Sequence, residues 1–212
     1  QARLLGMRHY ADVSLATKMA ESPEQVAAFL RDLAARARPF AARELSTLKQ
    51  FAYECDGIED YAAWDHAYYA EKYQQKCYDL SDEDLRPYFP LPRVLSGLFG
   101  LIEKLFGYRV REITPETQQI WHDSVSIYQI ENANGQLIGQ CYLDPFAREH
   151  KQGGAWMDEA RGRAPNQTPV AYLVCNFTPP RPNQPALLTH DEVLTLFHEF
   201  GHGLHHLLTQ ID

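Results

Sequence analysis

The segment His198-Glu199-Phe200-Gly201-His202 constrains this chain more than any other, because it has a defined meaning only on an α-helix. There the two histidines stand one turn apart on one face, able to grip a single zinc ion at about 2.0–2.1 Å, with Glu199 beside the open coordination position. The flanking residues write that helix independently. Thr189 and Glu192 form a T-x-x-E capping box, and Leu188 before the cap can staple onto Val193. Val193, Phe197, Phe200, Leu204, Leu207, Leu208 and Ile211 then recur at three- and four-residue steps, the stripe of a helix lying on a core.

The chain has nine histidines, so the choice of ligands needs an argument. His202 and His206 are also four apart, but Gly203 follows His202 where a base should stand. His206 cannot share an ion with His198, since eight residues of helix rise about 12 Å. His205 and His206 are therefore expected to be supporting, surface or core groups. A zinc ion on His198 and His202 would acidify a water and polarise a scissile carbonyl, the chemistry of a zinc peptidase. Glu199 would take the proton of that water and pass it to the departing amine. A third protein ligand is missing: Asp212 is the only acid after His202, and the longer H-E-x-x-H-x-x-G-x-x-H pattern fails at His205 and Leu208. The chain also begins at Gln1 and ends within a helical pattern, so it is expected to be a fragment cut before its active site is complete.

Beyond the motif, several segments agree with one family. Leu196 to His206, Tyr142-Leu143-Asp144 with Arg148, Gly153-Gly154-Ala155-Trp156-Met157-Asp158, Pro169 to Leu173 with Cys175-Asn176-Phe177, Trp64-Asp65 with Tyr68-Tyr69, and Leu85 to Pro90 stand in matching order. Through them the chain resembles the thimet oligopeptidase family of zinc metallopeptidases over essentially its whole length. The resemblance implies that His198 and His202 are zinc ligands, that Glu199 is the general base or acid, and that a glutamate on a helix beyond Asp212 is the third ligand. It further implies cleavage of short peptides in a deep channel. One departure stands out: Pro145 falls where the family's strand continues, and proline has no N–H for a ladder bond.

Three stretches follow from pattern. Residues 1–107 read as helical. Ser22-Pro23-Glu24-Gln25 starts a helix, with Val26, Phe29, Leu30 and Leu33 at core spacing; Pro39 should kink or end it, and Leu45, Leu48, Phe51 and Ala52 continue the stripe. Tyr61 to Tyr78 suggests another helix, and Leu91 to Leu105 a third, stopped by Gly107. Ser81-Asp82-Glu83-Asp84 reads as a solvated helix start. Residues 108–186 hold a small sheet and a linker: Val125 to Ile130 and Leu137 to Leu143 flank the hairpin signal Asn134-Gly135, and Val170 to Phe177 is a further strand. Gly153-Gly154 is a turn, and the prolines from Pro179 to Pro185 form the linker. Residues 187–212 are the zinc-motif helix. The expected class is mainly α with a small mixed or antiparallel sheet beside that helix, an α+β arrangement.

Composition narrows the rest. At 212 residues and 45% hydrophobic content the chain can bury one substantial core, or one and a small second lobe. A net charge of −8 argues against nucleic-acid and anionic-membrane partners, and no apolar run approaches a membrane span. Cys55, Cys77, Cys141 and Cys175 form no C-x-x-C pair and read as buried reduced thiols of a cytoplasmic protein. Two function classes remain: a zinc endopeptidase of short peptides, seen here as part of its catalytic region, or a folded scaffold or zinc-binding piece without turnover. If later helices normally cover the zinc helix, Phe200, Leu204 and Leu208 should be partly bare and promote self-association.

Overall fold

The computed structural model describes residues 1–79, 81–114 and 120–210. Ile211 of the apolar stripe and Asp212, the only acid after His202, lie outside them. Two compact units divide the chain, Gln1–Leu80 and Ser81–Asp212.

The first unit is helical: α1 (Tyr10–Leu15), α2 (Pro23–Asp56) and α3 (His66–Tyr78). Ser22 caps α2, its hydroxyl accepting from Gln25 N–H at 3.1 Å, and Pro23 occupies the first turn, where its missing N–H costs nothing. The helix does not end at Pro39; it continues to Asp56, where Gly57 (φ 68°) closes it. One absent N–H is a local loss that the rest of a 34-residue helix absorbs. The predicted core positions divide along its length. Phe51 and Ala52 pack with Tyr69 of α3, whereas Phe29, Leu30 and Leu33 are more than half exposed. Their spacing is helical, but within this unit α3 lies only against the other half of α2.

The second unit is the α+β body. After the short α4 (Asp82–Leu85), α5 (Leu91–Phe106) ends at Gly107, whose φ of 73° is a left-handed cap. Five strands follow: β1 (Arg109–Ile113), β2 (Ser126–Glu131), β3 (Leu137–Phe146), β4 (Trp156–Arg161) and β5 (Val170–Phe177), and then α6 (His190–Leu208). The sheet order is β1-β2-β3-β5-β4, antiparallel except for the parallel β3–β5 pair, so the expected mixed sheet is present. Asn132 to Gln136 makes the β2–β3 turn with Gly135 at φ 76°. Pro145 does not stop β3. Pairing resumes at Phe146 after a register shift, Asp144 opposite Val174 and then Phe146 opposite Phe177.

Alternate residues of the strands face α5 and α6. Tyr128, Ile130, Cys141, Leu143, Ala171, Leu173, Cys175 and Phe177 form one core with Val94, Leu98 and Ile102 of α5 and Leu196, Phe200 and Leu207 of α6. The linker closes this layer. Leu91 N–H bonds to Ala186 O and Leu188 N–H to Phe89 O, both at 2.9 Å, tying the starts of α5 and α6 together. The expectation of a partly bare apolar face on α6 fails at Phe200, which is 1% exposed with Phe99 of α5 at 5.8 Å between ring centroids, whereas Leu204 and Leu208 pack against the core but are only partly buried. Phe99 of α5 lies against Phe200, which therefore offers no surface for self-association. No helix among the described residues is long and apolar enough to cross a membrane.

Candidate active site

Both halves of the capping box at the start of α6 are formed. Glu192 N–H donates to Thr189 Oγ1 at 3.1 Å, and Thr189 N–H to the Glu192 carboxylate at 2.8 Å. The other Glu192 oxygen accepts Thr178 N–H at 3.3 Å, so the end of β5 and the start of α6 share one carboxylate. From this fixed origin the helical period sorts the motif. Leu196, Glu199, Phe200, Gly203 and Leu207 are buried, while His198, His202 and His205 are exposed. A methyl group at Gly203 would stand 3.0 Å from Leu173 Cδ2, so glycine lets the helix lie close to β5.

His198 and His202 converge. Their Nε2 atoms are 3.1 Å apart, with ring planes at 86° and centroids 4.6 Å apart. Glu199 lies at the margin of the core, 8% exposed. Its charge is one cause that holds the Cys175 thiol up at about 12, after the larger effect of burial. The two histidines of the last turn stand apart from the pair. His205 is exposed, and His206 turns to β4, with Nδ1 3.4 Å from the Glu159 carboxylate and Nε2 3.2 Å from Arg161 O. Among the described residues no group of three or more His, Cys, Asp or Glu side chains is gathered to hold a metal ion. Among the described residues the pair therefore has no third donor of those types gathered beside it.

One strand edge accompanies the pair. β4 is last in the sheet order, joined to β5 on one side only, and α6 packs beside it. Met157 and Glu159 of β4 line a groove with His202 and His206 of α6. The last turn of α6 is anchored by Arg163, whose guanidinium donates to Ile138 O and Leu207 O at 3.0 and 2.8 Å. Sequence reasoning missed the roles of Arg163, Lys151 and Asn176. The only signal of Lys151 was a lysine seven residues after an aspartate buried in an apolar strand.

Comparison with known proteins gives this geometry a setting. A family model described as Peptidase family M3 matches residues 1–212. Oligopeptidase A of Salmonella typhimurium (strain LT2) is 51% identical over 216 residues, taking in 100% of this chain and 32% of that protein. Oligopeptidase A of Escherichia coli (strain K12) is 50% identical over 216 residues, again 100% of this chain and 32% of the relative. Dipeptidyl carboxypeptidase of the same organism is 39% identical over 213 residues, 99% of this chain and 31% of the relative. The chain thus spans about a third of the length of these relatives. The resemblance read from scattered motifs is borne out along the whole sequence, and the chain belongs to Peptidase family M3.

Proposed function

We propose that this chain is part of the catalytic region of a zinc-dependent endopeptidase acting on short peptides, with His198 and His202 as zinc ligands and Glu199 as the general base. The observation that carries the reading is the 3.1 Å separation of the two Nε2 atoms. Two nitrogens each about 2.0–2.1 Å from a tetrahedral ion stand about 3.3 Å from one another, so little ring movement is needed for both to bind one ion. Imidazole pairs are a donor set that zinc favours. When bound, zinc would supply Lewis acidity to a scissile carbonyl and to a water beside it.

The chain's own residues would do the proton work. Glu199, one residue from His198 and held at the margin of the core, takes a proton from the attacking water and returns it to the leaving amine. The unpaired edge of β4 offers backbone groups to an extended peptide, a general mode of peptide recognition, and the groove beside His202 follows that edge. The third ligand is a glutamate supplied downstream of Asp212, so the 212 residues alone bind zinc weakly and have no turnover of their own. The absence of a third donor among the described residues supports that part of the reading. A cytoplasmic location is supported by four cysteines that are all free thiols.

The test uses the complete protein. Zinc content by metal analysis and anomalous scattering at the zinc edge should give one ion on His198 and His202, and His198→Ala or His202→Ala should each remove it. Full zinc occupancy in both variants overturns the ligand assignment.

A further inference from the structure

On the face of the sheet away from α5 and α6 lies a buried charged cluster that the hydrolytic chemistry does not use. Asp144 alternates with Leu143, which faces the helices, and is itself 2% exposed. Arg148 grips its carboxylate with two bonds of 2.6 and 2.8 Å, and Trp121 Nε1–H donates to it at 2.9 Å. Lys151, whose side chain is 5% exposed, adds a fourth contact at 2.9 Å.

The cause of this arrangement is Pro145. Proline offers no N–H, and the register shift there sets two residues of β5, Cys175 and Asn176, opposite one of β3. Carbonyls near the break need another donor. Lys151 supplies it: its ammonium bonds to Asp144 O, Phe146 O and Cys175 O at 3.0, 2.8 and 2.6 Å. Asn176, the second residue of the bulge, donates its side-chain amide to Gln152 O at 2.8 Å and Gly154 O at 2.6 Å. Lys151, Gln152 and Gly154 all belong to the loop from β3 to β4, and β4 starts at Trp156. The bulge in β5 therefore fixes where β4 begins, and β4 carries the free edge and the Met157 and Glu159 walls of the groove beside His202.

We propose that Lys151 and Asn176 are positioning residues for peptide binding, clamping the β3–β4 loop to the bulge so that the β4 edge is held at a fixed place beside the histidine pair. This rests on the reading that a peptide pairs along β4. Neither residue touches the reacting atoms. Their removal should let the edge wander and weaken the binding of peptides long enough to pair along it, while the proton transfer by Glu199 continues once a peptide is seated.

The experiment compares the complete enzyme with its Lys151→Met and Asn176→Ala variants on two quenched fluorescent peptides, one long enough to run along β4 and one spanning only the cleaved bond and its neighbours. For the long peptide KM should rise about tenfold with kcat changed by less than about threefold, and the short peptide should be affected far less. Zinc content should be unchanged. Amide hydrogen exchange should accelerate at residues 156–161 and not at 109–113 or 126–131. If Lys151→Met fails to fold, Asn176→Ala, which leaves the buried charges in place, carries the test. Unchanged KM, an equal loss for both peptides, or exchange accelerated evenly across the sheet overturns the proposal. Affinity for the long peptide in a Glu199→Gln background requires no turnover and keeps the two claims apart. Unaltered affinity on adding Asn176→Ala refutes the clamp, whereas undiminished cleavage by Glu199→Gln alone refutes the catalytic reading.

Discussion

Asp144 shows how a single buried charge can be kept ionised. Burial pushes its carboxyl group up, yet the hydrogen bonds from Arg148, Lys151 and Trp121 together outweigh burial and bring it down to about 2. Because the folded value lies below the ordinary 3.8, the ionised group adds stability above about pH 4, and that stability is lost as pH falls towards 2. The shift corresponds to about 2 kcal/mol. In urea denaturation between pH 5 and pH 2, the parent should therefore lose about 2 kcal/mol more than Asp144→Asn does. Parallel pH dependence of the two proteins would show that the carboxylate is not held this way. Cys141 and Cys175 make a second case. Both thiols are buried and pushed up to about 12 by burial first, so they stay protonated in the folded protein. Cys55 and Cys77, expected to be buried, are instead exposed on the helical unit, so iodoacetamide should label them at neutral pH, with Cys141 and Cys175 labelled only after unfolding, as read by peptide mass.

At the scale of elements, close approach of α6 to the sheet depends on two glycines with different tolerances. A methyl group at Gly203 would meet the mobile end of Leu173 at 3.0 Å, and alanine gains about 1 kcal/mol over glycine within a helix. A methyl group at Gly139 would meet Leu207 Cδ2 at 3.0 Å and also its Cβ at 3.1 Å, an atom fixed to the helix backbone. Gly139→Ala should therefore cost about 1–3 kcal/mol, with Gly203→Ala within about 1 kcal/mol of the parent, in urea midpoints. Equal costs would contradict this account of the packing. What the sequence revealed follows the same locality. The capping box, the Gly107 stop, the Asn134-Gly135 turn and the spacing of His198 and His202 are all written within a few residues. β1 and β4 escaped notice because they are edge strands with charged faces, Arg-Val-Arg-Glu-Ile and Trp-Met-Asp-Glu-Ala-Arg, and lack clean alternation. Phe29 and Leu33 had helical spacing, but spacing alone does not say what lies against a helix. Lys151 was hidden because its partner Cys175 is 24 residues away and is reached only through the parallel β3–β5 register.

At the scale of the molecule, the sheet presents one face to two helices and one edge to a groove, and the helix bearing the histidines is fixed at both ends, by Glu192 and by Arg163. The exposed stripe of that helix is Leu194, His198, His202 and His205, and on the proposed reading it is the surface to which a third ligand and oxyanion donors would be added. The isolated 212 residues should accordingly show little or no hydrolysis of a quenched fluorescent peptide at saturating zinc, and the complete protein should show it readily. Comparable activity of the two at equal concentration would contradict the division of the site. The most direct measurement of the central claim is made on the complete protein carrying Glu199→Gln, with zinc content determined in the same samples. Glutamine keeps the size of the side chain but cannot accept a proton from water, so kcat should fall by about 10²–10⁴ with zinc still bound. Cleavage at the parental rate with full zinc occupancy would show that Glu199 is not the base.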